Sequence, residues 1–315
     1  MGHIIIKKSI VIQASKKVVW DNIVNFERQA LWSPWLIIES DCTRTLAGPD
    51  GELGTIDRWE GSIIGTGERE NTKIVQGEYI EQDLRFEKPW KSKAHTFLKI
   101  QQKSEEEFEV TWTLETKLPF FLFFMKSMFR RMIGEDYERG LKMLKVLSET
   151  GKLETSTQDM GIQEQTEVYW VGREHQAHMS EIAELMTGDF NAVFEFLTQQ
   201  NIAPEEFRSY YPKIDMKNGI FHFLTVITLQ QEDWDTLENL PEGIKKGTYQ
   251  ATKNYSLRHH GSYDFLPNTW TGVFMYLRAK KLKLNKAIPP CEVYINDPMN
   301  TPAEQLLTDV SVPIR

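Results

Sequence analysis

The chain has 315 residues, of which 40% are hydrophobic and 26% charged, with 37 Lys and Arg against 45 Asp and Glu and a formal net charge of −8. This length suits two ordinary domains, each with its own core, and the composition is that of a folded globular chain rather than a disordered one. The acidic balance disfavours non-specific nucleic-acid binding and slightly favours cationic ligands.

The two cysteines, Cys42 and Cys291, fall in different halves. They form neither a disulfide framework nor a zinc spacing, so a reducing, cytoplasmic setting is the simplest expectation. The first eight residues lack the long apolar region of a secretory signal. The most apolar run, residues 118–125, is too short to span a bilayer, so no stable membrane insertion is expected.

In chain order, residues 4–12 read as a strand. Ser15 is a candidate N-cap for a helix in which Val19, Ile23 and Phe26 recur at helical spacing. Gly48-Pro49-Asp50-Gly51 is a turn. Residues 54–61, 65–75, 79–86, 94–101 and 108–114 read as antiparallel strands, with period-two alternation clearest in 96–100 and 108–114. A long helix is expected from Pro119 to about Leu147, with Phe129, Ile133, Tyr137, Leu141 and Leu144 as its apolar stripe. The all-round apolar Phe120–Phe124 stretch is read as buried or as a domain contact, ahead of a cavity mouth or a membrane contact.

One early helix, many strands and one long final helix predict an α+β helix-grip architecture, with an antiparallel sheet around the C-terminal helix. This half resembles the START-like SRPBCC superfamily, often labelled polyketide cyclase-like. The resemblance rests on Ile10-Val11-Ile12-Gln13-Ala14-Ser15, Val18-Val19-Trp20, Trp32-Ser33-Pro34-Trp35, Gly51-Glu52-Leu53-Gly54, Phe108-Glu109-Val110-Thr111-Trp112 and the run from Glu138 to Lys145. It implies a fold with an internal cavity and leaves the activity open, since this superfamily hosts carriers, hormone binders and cyclases. Trp32, Trp35, Trp59, Trp90 and Trp112 are read first as core residues and second as cavity lining.

The polar stretch 151–163 follows the long helix and reads as a linker, which places the domains at 1–150 and 164–315. The second domain contains an internal repeat. Residues 167–172 form a strand, 188–197 a helix with Asp189 as candidate N-cap, and 207–214 and 220–229 strands hinged on Asn218-Gly219. The same order recurs as a strand at 248–259, a helix from 266 or 267 to 281, and strands at 291–295 and 307–313. Two tandem β-α-β-β units predict a pseudo-twofold α+β domain with its ligand cleft between the repeats.

This half resembles the GyrI-like family, the effector-binding domain also found in some AraC-type and MerR-type transcription regulators. The residues that carry the resemblance are His260-Gly261-Ser262-Tyr263, Trp270, Glu292-Val293-Tyr294-Ile295-Asn296-Asp297-Pro298 and Thr308-Asp309-Val310-Ser311-Val312-Pro313-Ile314. The resemblance implies that Glu292 faces an aromatic cavity and meets cationic or polar ligand groups. One departure is that Ser311 and Val312 stand where regulators of this family usually have an aromatic residue.

Strand alternation independently puts Glu292 and Tyr294 on one face. An inward carboxylate needs compensation from a donor, a basic side chain or a cationic ligand. Tyr210, Tyr211, Tyr263, Trp270 and Tyr294 are candidate walls around Glu292, each weighed against service as a core aromatic. His259 and His260 read as surface or turn residues, and His175, His178 and His222 are too scattered for a metal site. No cofactor motif is present.

The favoured reading is therefore a non-enzymatic binder of a hydrophobic, cationic or amphipathic small molecule, with a role as a sensor or regulatory effector-binding protein without its own DNA-binding segment. The alternatives are a hydrolase with Glu292 as general base, a cyclase- or hydratase-like enzyme in the N-terminal cavity, or a regulatory partner of another protein.

Overall fold

The computed structural model describes residues 2–118, 125–215 and 218–315. The fold is α+β and strand-rich, and the chain divides into two compact units, residues 1–154 and 155–315.

The first unit opens with β1 (Gly2–Gln13), in which Ile4, Ile6 and Ile12 are buried while Ile5 and Val11 face solvent, the signature of a half-buried strand. Ser15 Oγ accepts from the Val18 amide and so caps α1 (Lys16–Val24), as its sequence position predicts. A short helix, α2 (Phe26–Leu31), follows, then β2 (Thr43–Ala47), β3 (Ile56–Glu60), β4 (Thr66–Val75), β5 (Tyr79–Lys88), β6 (Ser92–Gln102) and β7 (Glu107–Leu118). These form one seven-stranded antiparallel sheet in the order β1-β7-β6-β5-β4-β3-β2. The helix α2 and the strand β2 have no counterpart among the sequence expectations.

The long helix α3 (Lys126–Thr150) packs on β1 and β7, and Tyr137, Leu141 and Leu144 of its predicted stripe are buried. It ends where Gly151 takes the left-handed conformation at φ 79°. The expectations for Pro119 and for Phe120–Phe124 lie outside the described residues.

The tryptophans of this unit mostly serve its core. Trp32 and Trp112 are buried, and Trp112 stacks on Tyr137 at a centroid distance of 3.8 Å. Trp90 is exposed and lies outside the core.

The stretch read as a linker is largely a strand. β8 (Thr155–Gln165) pairs with β13 (Thr252–Gly261) along its length. It escaped recognition because its residues are nearly all polar, and its structure comes from backbone pairing rather than from an apolar pattern.

The remaining elements are β9 (Val168–His178), α4 (Ile182–Gln199), β10 (Phe207–Asp215), β11 (Ile220–Leu229), α5 (Gln231–Thr236), β12 (Lys245–Tyr249), α6 (Leu266–Ala279), β14 (Cys291–Tyr294) and β15 (Leu307–Ile314). The strand expected at 248–259 is thus two strands, because β12 joins β9 on one side of the sheet and β13 joins β15 on the other. The first helix of this domain starts at Ile182, six residues before the expected 188. Asp189 lies inside α4, buried, with its carboxylate 2.9 Å from His175 Nε2.

The eight strands form one antiparallel sheet in the order β12-β9-β11-β10-β14-β15-β13-β8. The run β9-β11-β10 recurs as β13-β15-β14, so the two repeats meet at the β10–β14 pair. Helix α4 packs on β9 and β11, and α6 on β13 and β15. Val193 and Leu197 of α4 bury against Val171, Ile227 and Leu229, whose register places them on the face that carries Phe207 and Ser209. That face is therefore the helix-covered one, and its centre lies between the repeats.

Candidate functional site

The central pair supplies the site. Register couples Phe207 to Tyr294 and Ser209 to Glu292, so all four side chains leave the sheet on the helix-covered face. Tyr211 follows by the same period, and its amide bonds to the Pro290 carbonyl. Helix α4 brings Met186 and Phe190 to this point, and α6 brings Trp270 and Phe274.

Glu292 is 5% exposed. Its carboxylate accepts hydrogen bonds from Trp270 Nε1 at 2.6 Å, Tyr294 Oη at 2.6 Å and Tyr211 Oη at 2.9 Å. Among the described residues no Lys, Arg or His forms an ion pair with it. Tyr294 Oη also lies 3.2 Å from Ser209 Oγ and 3.7 Å from Met186 Sδ, which fixes the ring over the sheet.

Aromatic faces continue outward from the carboxylate. Tyr211 meets Trp270 edge-on at 5.3 Å, and Trp270 stacks with the exposed Phe274 at 6.3 Å. On the other side Tyr294 meets Phe190 at 5.7 Å and Tyr263 at 5.9 Å. The result is one buried carboxylate surrounded by aromatic rings, of which Trp270, Tyr263 and Tyr294 are half-buried and Phe274 is exposed.

The electrostatics follow from burial. Desolvation pushes the Glu292 carboxyl above its ordinary range, opposed by the donors Tyr294, Trp270 and Tyr211. Burial, then the Glu292 charge, drives the Tyr211 and Tyr294 hydroxyls well above the usual phenol range, so both remain protonated donors. Tyr263 is pushed up to about 12, mainly by burial. Among the described residues the carboxylate is held by neutral donors alone, so whatever charge it carries has no counter-charge within the protein.

Four of the five aromatic candidates therefore gather here: Tyr211, Trp270 and Tyr294 touch Glu292, and Tyr263 adjoins Tyr294. Tyr210 does not. It leaves β10 on the opposite face, where its ring lies 4.5 Å from Tyr249 and its hydroxyl accepts from Arg208 Nη1 at 3.1 Å. Alternation along β10 forbids Tyr210 and Tyr211 from sharing a face, and the same rule could have excluded one of them from the sequence alone. Sequence reasoning missed Ser209, Met186, Phe190 and Phe274.

The surface reading of His259 is also corrected. It is buried, with Nδ1 3.1 Å from Thr269 Oγ1 and Nε2 3.0 Å from the Ser262 carbonyl. Burial lowers its pKa and so favours the neutral ring, which anchors the turn before α6 beside Trp270. No group of three or more His, Cys, Asp or Glu side chains is placed to hold a metal ion among the described residues.

Residues 158–315 match the family described as the GyrI-like small molecule binding domain. The chain belongs to the GyrI-like family. The GyrI-like domain thus coincides with the second unit apart from its first three residues.

Similar solved structures include the C-terminal domain of EcmrR, with 14% identity and a TM-score of 0.43 over 52% of this chain and 99% of that one. They also include SAV2435 bound to tetraphenylphosphonium, with 13% identity and a TM-score of 0.35 over 49% and 92%. The Aha1 dimer from Colwellia psychrerythraea is similar with 16% identity and a TM-score of 0.36 over 48% and 99%. No curated protein sequence matches the chain. No helix among the described residues is long and apolar enough to cross a membrane.

Proposed function

We propose that the GyrI-like domain binds a hydrophobic organic cation in the cleft between its repeats, with Glu292 as the counter-charge. The observation that carries this reading is a carboxylate buried among three neutral donors with no ion-pair partner among the described residues. Removing a charge from water is costly unless it is paired, and a bound cation supplies the missing pair. The rings of Trp270, Tyr263, Tyr294 and Tyr211 add cation–π attraction and exclude water. A hydrophilic cation would lose its hydration in such a cleft, whereas an aromatic or alkylated one gains from burial.

In this reading the protein is a cytoplasmic sensor or sequestering protein without catalytic turnover. The first unit is a START-like helix-grip module, with α3 as the gripped helix, that receives an apolar body. The sheet order and the packing of α3 on β1 and β7 support that assignment, together with the motifs described above. DNA contact is not part of the proposal, because the sequence offers no basic recognition helix.

The test is calorimetric titration of the full chain with tetraphenylphosphonium and, separately, with triphenylphosphine oxide, a neutral aromatic of similar bulk. The cation is expected to bind at least about thirtyfold tighter, the equivalent of roughly 2 kcal/mol of charge recognition. Equal affinity for the two compounds would remove Glu292 from the recognition.

A further inference from the structure

The face of the second sheet that α4 and α6 leave uncovered carries a polar cavity of about 510 Å³, lined by residues of β8, β10, β13, β14 and β15 among others. It is unrelated to the Glu292 cleft, since Arg208, Tyr210 and Val293 point away from Ser209, Tyr211 and Glu292. We propose that this cavity is a second ligand site, selective for a hydrophilic organic amine.

The argument starts from Arg208, which is 8% exposed. Its guanidinium can only donate. It donates through Nε to Glu206 at 2.9 Å and through Nη1 to Gln165 Oε1 at 2.9 Å. Gln165 is thereby oriented with its oxygen inward. That oxygen also accepts from Asn254 Nδ2 at 3.0 Å. Asn254 must then present Oδ1 elsewhere; the residue lines the cavity, and this atom is buried beneath its wall with no hydrogen-bond partner. Asn254 as a whole is 5% exposed. An oriented, desolvated acceptor calls for a donor, because leaving it unmet costs free energy.

Charge decides which donor. The cavity lining holds five carboxylates against one guanidinium. Glu206 neutralises Arg208, Asp309 is held by Arg258 at 2.6 and 2.8 Å and Glu164 pairs with Lys253 at 3.4 Å, which leaves Glu167 and Glu205 to bias the rim toward a cation. Glu205 accepts from Gln230 and Glu167 from Tyr169, and neither partner is charged. The Ser256–Ser311 hydroxyl pair at 2.8 Å adds further polar lining. An amine meets the lone acceptor with an N–H and the rim with its charge. A quaternary cation has no N–H to offer, and an aromatic cation meets little aromatic surface here.

The test is calorimetric titration of the full chain with spermidine in 0.15 M salt, with and without saturating tetraphenylphosphonium. Saturable one-to-one binding that tetraphenylphosphonium does not compete away is expected. Asn254→Leu should weaken it at least tenfold. Glu205→Gln, at an exposed position that cannot disturb folding, should weaken it about threefold, in keeping with the small worth of a single rim charge. No saturable heat at millimolar spermidine, or affinity unchanged in Glu205→Gln and in a folded Asn254→Leu, overturns the proposal. Full competition by tetraphenylphosphonium also overturns it, because the amine would then share the Glu292 cleft.

Discussion

Replacing Glu292 with Gln isolates charge from shape. The side chains are nearly isosteric, and the local hydrogen bonds can be rebuilt. Trp270 Nε1 can only donate, so the Gln oxygen must take the Trp270 position, where Glu292 now accepts at 2.6 Å. The Gln nitrogen then faces Tyr294 and Tyr211, whose hydroxyls can turn from donor to acceptor. The fold therefore survives the substitution, and a loss of binding cannot be assigned to collapse.

The size of the loss follows from Coulomb's law. A cation about 4 Å from the carboxylate gains roughly 4 kcal/mol at an effective dielectric near 20. Part of that is offset by desolvating the ligand, so about 2–4 kcal/mol remains to be lost, roughly a thirtyfold to thousandfold weakening. The cation–π contribution of the walls, about 0.5–2 kcal/mol, stays in both proteins. Calorimetry with tetraphenylphosphonium reads the difference directly, and triphenylphosphine oxide should bind both proteins alike. A change under about threefold for the cation, or an equal loss for the neutral compound, refutes the reasoning.

Three further outcomes follow. Because burial raises the Glu292 pKa above its ordinary 4.5, cation binding should weaken as pH falls through that raised value. The sign for stability is opposite. The folded state holds this proton more tightly than the unfolded chain, so the contribution is fully present below about pH 4.5 and is lost as pH rises through the folded pKa. Urea midpoints of the wild type and Glu292→Gln should therefore diverge with rising pH in favour of the variant. Trp270→Phe removes one donor to the carboxylate. It should cost about 1.5–3 kcal/mol at neutral pH and less in acid, where a neutral carboxyl needs the bond less, as measured by urea unfolding at two pH values. Gly140→Ala in the first unit would place a Cβ 2.8 Å from Trp112 Cζ3 and 3.1 Å from Pro34 Cδ. Its helix-propensity gain of about 1 kcal/mol is outweighed by overpacking of about 1–3 kcal/mol, so a lower melting temperature is expected.

The elements that were legible in the sequence are those whose apolar residues keep a period. β1, β6, β7 and α3 alternate or stripe cleanly, and the repeat in the second half is carried by recurring strand and helix patterns. Glu292 and Tyr294 were placed together by parity alone. β8 was not legible because its side chains meet solvent and a polar cavity, so nothing apolar marks it. The start of α4 was hidden because its first turns mix Glu184, Thr187 and Gly188 with Met186, and the polar Asp189 looks like a cap until its buried contact with His175 is seen. Ser209 and Met186 carry no chemical signal of their own. Only the register of β10 against β14 and the packing of α4 bring them to the carboxylate.

The same parity bears on how one sheet could hold two unlike sites. Along β10, Phe207, Ser209 and Tyr211 serve the cleft, while Arg208 and Tyr210 serve the other face. Along β14, Glu292 and Tyr294 alternate with Cys291 and Val293 in step. Each face thus receives a buried charge of opposite sign, and the two are resolved differently. Arg208 is neutralised within the protein by Glu206, so its face recognises ligands through an oriented amide and rim carboxylates. Among the described residues Glu292 is given neutral donors only, so no counter-charge is supplied from within the protein. A basic side chain beside Glu292 would stabilise the empty protein and compete with any cation for the carboxylate. Three uncharged donors keep the group ionisable and oriented while leaving the counter-charge to the ligand, and this is the arrangement a cation receptor requires.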